Sequence, residues 1–448
     1  MRPLLALFPL LVLPALAQTP SPALLAKAKA IHNRVLKLDT HNDIDAANFT
    51  PACNYLQRLN TQVNLPKMAD GDMDVAFFIV YVGQGLPTAE AYDLAYQQAI
   101  EKFDAIHRFT ESIAPNAMGL ALTPADVRRL HREGKRVAVI GVENGYPLGL
   151  DLKRVEEFYK RGGRYLSLAH NGNSQLADSN TGEASGYLHN NGLSPLGRQV
   201  IAEMNRLGMM VDLSHPSKGA NLEAIRLSKA PVIASHSSVR ALADHSRNMD
   251  DEQLLALKKN GGVVQIVGFA SYLKVDSKER AAALTALRND FGFGGGRAGG
   301  PTFRRPTAPR PCAVEPPPAP AANAGAPAPR RAGGFLNMLP PDRRAEYEKR
   351  MAEIDARFPP APRANVQDMV NHIDYAVKLI GIDHVGISSD FDGGGGIDGW
   401  DSAAEAFNVT LELVRRGYTE KQIAKLWSGN LLRVWADVEK AARRLNKR

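Results

Sequence analysis

The sequence predicts an α/β protein built as a (β/α)₈ barrel, and three observations lead to this prediction. Eight short apolar or β-branched runs recur along the chain. Stretches with apolar residues at helical spacing lie between them. Most of the runs end on a histidine or an acidic residue. Continuous apolar strands that alternate with helices favour a parallel sheet covered on both faces, and eight such units favour its closure into a barrel.

The eight predicted strands follow one another in a regular order. They read VLKLD, VAFFIVYV, VAVIGVE, YLSLAH, MMVDLSH, PVIASH, GVVQIVG and HVGISSD. Helices are predicted between them, for example at LEAIRLSKA after the fifth strand and at VQDMVNHIDYAVKLI before the eighth.

The first 17 residues predict a cleavable secretory signal peptide. MRPLLALFPLLVLPALA has a basic start, an apolar run and a small-residue end before Gln18. No later run is apolar for long enough to span a bilayer, and no cysteine follows the signal to carry a lipid. We therefore expect residues 18–448 to form one exported barrel domain, periplasmic or extracellular, without a transmembrane segment.

A long insertion is predicted between the seventh and eighth strands, at about residues 274–363. Its centre, residues 291–334, is rich in Pro, Ala, Gly and Arg and has six arginines against one acid, Glu315. This composition cannot bury a core and predicts a disordered segment. We expect helices on either side, at SKERAAALTALRNDFG and PDRRAEYEKRMAEIDARF, and we expect the insertion to border the mouth of the barrel.

The formal net charge of +8 does not indicate a nucleic-acid partner. Much of the charge lies in the 291–334 segment, and no nucleic-acid-binding motif is present. The chain has two cysteines, Cys53 and Cys312, which excludes a disulfide framework. Their wide separation in sequence leaves open whether they pair.

Side chains of the metal-binding type stand where most of the strands end. In the stretch LDTHND, a histidine and an acid two residues apart lie on the same side of a strand. The C-terminal strand ends of such a barrel meet around one mouth, and imidazole and carboxylate are ordinary zinc ligands. The sequence therefore predicts one site at this mouth, formed by His41, Asp43, Glu143, His170, His215, His236 and Asp390.

The other histidines lack this placement and are interpreted as surface or packing residues. Asp45 and Asp392 lie near the predicted site and are expected to support it rather than to bind metal. The seven histidines left outside the site are His32, His107, His131, His189, His245, His372 and His384.

At these residues the chain resembles the membrane dipeptidase family, the renal-dipeptidase-like metallopeptidases of the amidohydrolase superfamily. The matching motifs run in the family's order from Leu38 to Asp392. They are DTHND, GVENG, YLSLAHNGNSQLADS, VDLSHPS, PVIASHSS, HSRNMDD and HVGISSDFDGGGG, and the final GNLLRVW resembles the family's last helix.

The resemblance implies a site with two zinc ions. His41 and Asp43 match the ligands of the first zinc, and His215 and His236 match those of the second. Glu143 matches the carboxylate that bridges the two ions. A water between two divalent cations loses its proton near neutral pH, so a hydroxide is expected as the second bridge.

The resemblance also assigns four residues to the substrate and the proton. His170 matches the histidine that contacts the scissile carbonyl, and Asp390 matches the acid that shuttles the proton. Arg247, in SRNMDD, matches the arginine that holds the substrate's terminal carboxylate. Tyr272 lies roughly at the position where the family has a tyrosine that contacts the substrate.

The activity implied is hydrolysis of dipeptides with a free C-terminal carboxylate, by a protein that forms a homodimer as is usual in the family. One alternative is another amidohydrolase activity on the same site, such as hydrolysis of a lactone, a β-lactam or an N-acyl amino acid. A second alternative is a non-catalytic envelope-binding protein on an inherited barrel. That hypothesis predicts the loss of a ligand position, and every ligand position is present in the sequence.

Overall fold

In the computed structural model, which describes residues 20–292, 312–315 and 339–447, eight parallel strands form a ring. The order around the ring is β1, β2, β4, β5, β6, β7, β8, β9, whereas β3 pairs only with β4 and lies outside it. The strands are β1 (Leu38–Asp43), β2 (Val75–Tyr81), β3 (Met118–Leu120), β4 (Arg136–Glu143), β5 (Gly163–Ser167), β6 (Met210–Asp212), β7 (Ile233–Ser237), β8 (Val263–Val267) and β9 (Val385–Ser388).

The ring closes between its first and last strands. Asn42 at the end of β1 bridges Phe391, which follows β9, and the Asp43 N–H donates to the Phe391 carbonyl at 2.8 Å. The predicted barrel and its eight strands are confirmed. The sequence pattern does not predict β3, because three residues are too few to show a strand periodicity.

Helices connect the strands and pack around the ring. The helix predicted before the last strand is α13, which begins at a capping box formed by Asn365 and Asp368. The helices are α1 (Pro22–Arg34), α2 (Leu65–Asp70), α3 (Ala89–Arg108), α4 (Pro124–Arg132), α5 (Lys153–Lys160), α6 (Gly182–Ser185), α7 (Pro195–Leu207), α8 (Lys218–Leu227), α9 (Asp251–Asn260), α10 (Ala270–Leu273), α11 (Lys278–Asp290), α12 (Pro341–Arg357), α13 (Val366–Ile380), α14 (Ala406–Arg415), α15 (Glu420–Ala424) and α16 (Asn430–Leu445).

Alternate residues of each strand point into the barrel. In β2, Val75, Phe77 and Ile79 belong to the cluster that fills the interior, and the residues between them face the surrounding helices. Leu431 and Trp435 of α16 join the interior cluster, and the Trp435 ring lies 6.3 Å from that of Phe77. Apolar side chains thus fill the end of the barrel near α16, and the polar strand ends lie at the other end.

After α10, the insertion that precedes α13 contains two helices, α11 and α12, where the sequence predicts them. Leu287 of α11 packs with Phe291 and with Tyr347 of α12. Arg280 of α11 is buried and pairs with Asp355 of α12 at 2.8 Å. Apart from residues 291–292 and 312–315, the segment 291–334 lies outside the described residues, and the predicted signal peptide, residues 1–17, does so entirely.

A disulfide joins the insertion to the loop that follows β1. Cys53 and Cys312 are bonded, with their Cα atoms 5.4 Å apart. On either side of Val314, the Asn60 N–H donates to the Ala313 carbonyl and the Glu315 N–H donates to the Arg58 carbonyl, both at 2.8 Å. The structure therefore settles the pairing that the sequence leaves open.

Among the described residues, no helix is both long and apolar enough to cross a membrane.

Candidate functional site

The seven side chains predicted to form a site at the strand ends come together in the structure. Their ligand atoms form three overlapping groups, and within each group these atoms lie within 4.8 Å of one another. The groups are His41, Glu143 and His236; Glu143, His170 and His215; and His41, Asp43 and Asp390. Two of the three groups contain Glu143, and two contain His41.

Glu143 lies at the centre of this cluster. It ends β4, in which Val137 and Val139 belong to the interior cluster, so the alternation of the strand directs Glu143 into the barrel. Its Oε1 lies 2.8 Å from His215 Nε2 and 3.3 Å from His236 Nε2. Its other oxygen, Oε2, lies 3.6 Å from Nε2 of His41, which is on β1. One carboxylate thus faces ligands on two sides.

The arrangement of nitrogen atoms fits bound cations. His41 Nε2 is buried and has no hydrogen-bond partner in the described chain. His215 Nε2 and His236 Nε2 lie 3.0 Å apart. Two neutral imidazoles at this distance would direct lone pairs at each other unless a proton or a cation lay between them. Buried nitrogen and carboxylate donors in this arrangement are the ligands that divalent transition metals prefer.

Tyr165 orients His41, although the sequence analysis does not identify it as a site residue. Its hydroxyl donates to the Thr40 carbonyl at 3.1 Å, and its oxygen lies 2.9 Å from His41 Nδ1. The His41 Nδ1–H therefore donates to Tyr165, which leaves the Nε2 lone pair free for a metal. Gly141 makes room for the tyrosine ring, since a Cβ there would lie 2.3 Å from it. The sequence signal for this role is the tyrosine that begins the predicted strand YLSLAH.

A second relay orients His236. Its Nδ1 lies 2.8 Å from Ser235 Oγ, and that hydroxyl donates to Asp212 Oδ2 at 2.7 Å. Asp212 also accepts from the Ser235 N–H at 2.7 Å. A carboxylate that acts through a serine in this way fixes the ring with Nε2 toward the cluster. The sequence signal is an acid inside the apolar run MMVDLSH.

Two carboxylates of the cluster have opposite electrostatic environments. Burial alone would raise the pKa of Glu143, but the neighbouring imidazole groups of His41, His170 and His215 hold this pKa well below its usual value. Burial, together with Asp43 and Glu143, raises the pKa of Asp390 to about 8 against the opposing charge of His41. Bound cations would lower the pKa of Asp390 again. Glu143 is therefore suited to be an ionised ligand, and Asp390 is suited to exchange a proton near neutral pH.

The turn after β9 brings Asp390 close to Asp43. Asp390 and Asp392 have φ values of 60° and 61°, which few residues other than glycine adopt. A Cβ on Gly393 would lie 2.3 Å from Asp390 Oδ1 and 2.3 Å from Asp43 Oδ2. Only a residue without a side chain fits between these two carboxylates.

The Gly393→Ala variant is expected to bind metal about 10- to 100-fold more weakly, because the added methyl group forces the carboxylates of Asp43 and Asp390 apart. Titration of the apoprotein with Zn²⁺ in a calorimeter measures this change. Gly83→Ala is the matched control, since its Cβ would meet only the Tyr81 hydroxyl, at 3.7 Å. Equal zinc affinities for Gly393→Ala and the unmodified protein would contradict this role of Gly393.

His170 lies at the edge of the cluster and is partly open to solvent. Its Nε2 is 3.9 Å from Glu143 Oε1, its ring centroid is 4.1 Å from that of His215, and 18% of its side chain is exposed. Its Nδ1 lies 3.4 Å from the Tyr81 hydroxyl. Burial lowers the pKa of His170, and the charge of Arg247 lowers it further, although Glu143 opposes both. A neutral His170 can donate one hydrogen bond into the mouth.

Arg247 and Tyr272 meet at one side of the cluster. Arg247 is 3% exposed, and its Nη2 donates to the His236 carbonyl at 3.1 Å. Its Nε and Nη1 are buried and have no hydrogen-bond partner in the part of the chain that the structure describes. The guanidinium carbon lies 5.3 Å from the centre of the Tyr272 ring, which stacks on Phe269. Two donors of a buried guanidinium are thus available to a ligand.

The residues that the sequence analysis places outside the site have structural contacts. Asp392 accepts from the Gln62 N–H at 2.9 Å, and Asp45 accepts from the Ala47 N–H at 3.0 Å, so both hold loops near the mouth. None of the seven other histidines belongs to the metal-type groups in the described residues. His245 nevertheless lies beside the site, since its ring contacts Tyr272 with 4.8 Å between centroids.

Comparisons with known proteins extend over most of the chain. A family model described as membrane dipeptidase (peptidase family M19) matches residues 25–448. Dipeptidase tcpJ of Claviceps purpurea is 28% identical over 385 residues, which are 85% of this chain and 70% of that protein. Dipeptidase aclJ of Aspergillus oryzae is 28% identical over 410 residues, which are 90% and 75%. The crystal structure of the probable dipeptidase PvdM from Pseudomonas aeruginosa is 34% identical with a TM-score of 0.75, and the match covers 94% of this chain and 100% of that one.

Proposed function

The chain belongs to the membrane dipeptidase family, peptidase family M19, and on that premise we propose that it hydrolyses the peptide bond of dipeptides with a free C-terminal carboxylate. The protein is a hydrolase of this family with three overlapping groups of candidate metal ligands. The observation that carries the proposal is the buried Arg247 beside these ligands, with two nitrogen atoms, Nε and Nη1, that have no hydrogen-bond partner in the described chain. A carboxylate is the ligand that such a pair of donors binds best.

We assign two zinc ions to the cluster. His41 and Asp43 would hold one ion, His215 and His236 the other, and Glu143 would bridge them. When bound, two such cations polarise the carbonyl of a peptide bond and lower the pKa of a water held between them, so that a hydroxide is available as nucleophile. The unpartnered Nε2 of His41 and the 3.0 Å approach of His215 Nε2 to His236 Nε2 support this assignment.

The chain's own residues would complete the reaction. His170, neutral and directed at the mouth, would donate a hydrogen bond to the oxygen that gains charge when the carbonyl is attacked. Asp390 would accept the proton of the attacking water and pass it to the leaving amine, as a general base and then a general acid. Burial and the neighbouring carboxylates raise the pKa of Asp390 to about 8 without metal, and bound cations would lower it toward the range that suits both halves of that transfer.

Arg247 would select substrates that carry a free carboxylate one residue after the bond to be cleaved. Its position beside His236 fixes the distance between the bound carboxylate and the metal ligands. A peptide whose terminal carboxylate pairs with Arg247 then places its last peptide bond, and no other, at the reacting centre. Tyr272, which covers one face of the guanidinium, would line the same end of the substrate.

A second candidate function uses the same site. The guanidinium of Arg247 recognises a carboxylate, and β-lactams and N-acyl amino acids also carry one near the bond that would break. Hydrolysis of these compounds is therefore an alternative to dipeptide hydrolysis, as is hydrolysis of a lactone. The substrate panel described next distinguishes the candidates.

Purified protein loaded with Zn²⁺ is expected to hydrolyse dipeptides of L,L and L,D configuration, to lose this activity on chelation and to regain it when Zn²⁺ is restored. C-terminally amidated dipeptides serve as matched controls and are expected to remain intact, because they cannot pair with Arg247. Metal content measured by mass spectrometry accompanies each assay. Protein that holds two metal ions but cleaves β-lactams or N-acyl amino acids in place of dipeptides would overturn the proposal.

We also propose that the protein acts outside the cytoplasm and as a homodimer. The first 17 residues have the composition of a signal peptide, and a disulfide suits an oxidising compartment. The mature chain would be one barrel domain, residues 18–448, with the insertion at residues 274–363. Mass spectrometry of the exported protein and its molar mass in solution test these assignments.

A further inference from the structure

Lys102 places a positive charge near the mouth of the barrel without an ion-pair partner. It lies on α3, which follows β2, and its side chain is partly buried. Its Nζ lies 5.7 Å from the centre of the Tyr81 ring. No carboxylate of the described residues comes within ion-pair distance of this ammonium group, in contrast to most buried lysines, which are paired. A cation in this position is available to a negatively charged ligand.

Tyr81 connects Lys102 to the metal-type cluster. It ends β2, and the alternation of Val75, Phe77 and Ile79 directs it into the barrel. The ring centroid of Tyr81 lies 4.6 Å from that of His170. Lys102 therefore lies one aromatic ring away from the histidine that faces the reacting centre.

The charges around Lys102 come from the site itself. Burial lowers the pKa of Lys102, and the carboxylates of Asp43, Asp45 and Glu143 raise it. Asp43 and Glu143 are assigned to the metal ions, and Asp45 caps a short turn at Ala47. When cations are bound, the charges of Asp43 and Glu143 are offset by the metal, and of these three carboxylates only that of Asp45 is left to compensate the ammonium group of Lys102.

Lys102 and Arg247 lie on opposite walls of the barrel. Four steps around the eight-strand ring separate β2 from β7, the strands that precede Lys102 and Arg247. The metal-type cluster lies between them. A dipeptide that pairs its terminal carboxylate with Arg247 and places its carbonyl at the cluster therefore extends its first residue toward the wall of β1 and β2.

We propose that Lys102 is a specificity-determining residue that favours dipeptides with an aspartate or glutamate side chain at the first position. This inference rests on the proposed dipeptidase function and adds a substrate class to it. The ammonium group would pair with the side-chain carboxylate at the wall opposite Arg247. The partly buried setting would strengthen this pair relative to one in open water.

The experiment compares Glu-Ala with Gln-Ala, two substrates of nearly the same shape that differ in one charge. We expect the unmodified enzyme to favour Glu-Ala in kcat/KM by about tenfold, mostly through KM, and Lys102→Met to bring the ratio close to one. Lys102→Arg is expected to keep the preference. Lys29→Met is the matched control, because Lys29 makes a similar contact with the Phe407 ring, at 5.4 Å, away from the mouth.

Each outcome decides the proposal. If the unmodified enzyme has nearly equal kcat/KM values for Glu-Ala and Gln-Ala, the proposal is overturned. If Lys102→Met lowers kcat/KM equally for both substrates, the proposal is also overturned, because Lys102 would then only support the position of Tyr81. Bound zinc is measured in every variant, and a loss of metal in Lys102→Met also overturns it. Hydrolysis of Ala-Ala by the unmodified enzyme reports the dipeptidase function separately, so failure there overturns both proposals, whereas failure of the ratio overturns this one alone.

Discussion

The Glu143→Gln variant is expected to lose bound zinc and to lower kcat/KM for dipeptides on the order of 10³-fold. Glu143 Oε1 lies 2.8 Å from His215 Nε2 and 3.3 Å from His236 Nε2, while Oε2 lies 3.6 Å from His41 Nε2. Glutamine has the same shape but no charge, and its amide nitrogen would direct hydrogens at one of the two proposed metal sites. Zinc content by mass spectrometry and steady-state kinetics on Ala-Ala measure the two effects.

Glu412→Gln is the matched control for this substitution. Glu412 is also a buried glutamate and is held by cations, since it pairs with Arg415 at 2.6 Å and with Arg416 at 2.7 Å, but it lies on α14 outside the metal-type cluster. We expect this variant to keep both its zinc and its kinetics. A Glu143→Gln protein with two tightly bound zinc ions and normal kcat/KM would contradict the bridging role of Glu143.

The Arg247→Met variant is expected to lower kcat/KM for dipeptides by roughly 10²-fold or more while its zinc content stays the same. Methionine keeps much of the length and apolar volume of arginine but removes Nε and Nη1, the two nitrogen donors that have no partner in the described chain. The substrate's carboxylate would then be buried without a partner, and the discrimination against amidated dipeptides would disappear. Kinetics on a dipeptide and its amide, with zinc analysis, test both statements.

Arg240→Met provides the control for this second substitution. Arg240 lies on the same connection after β7, but it pairs with Glu183 at 2.6 Å and is partly exposed. We expect it to change neither the kinetics nor the ratio between free and amidated substrates. Loss of zinc in Arg247→Met would show that Arg247 supports the metal ligands through the His236 carbonyl and does not bind substrate.

The barrel and the seven side chains at its mouth were predictable because their signals are local. A continuous apolar run indicates a buried parallel strand. The residue that ends the run lies at the mouth of the barrel, because all the strands point in the same direction. His41, Glu143 and His236 could therefore be assigned to one cluster from their positions in the sequence alone.

The contacts that orient these ligands were not predictable because they depend on register between strands. Tyr165 reaches His41 only because β4, which lies beside it, has Gly141 where its ring passes. The gap that Gly393 leaves between Asp390 and Asp43 depends on the closure of the ring by β1 and β9. No periodicity along a single strand carries that information.

The disulfide also has a consequence for how the chain closes on itself. Cys53 follows β1 and Cys312 precedes β9, so the strands that form the seam of the ring lie outside the covalent loop, one on each side. Without the bond the two ends of the seam are roughly 350 residues apart along the polymer, and through the bond roughly 90, which reduces the entropic cost of bringing them together by about 1 kcal/mol. Chains oxidised before the ring is complete therefore have a shorter random search for their last pair of strands.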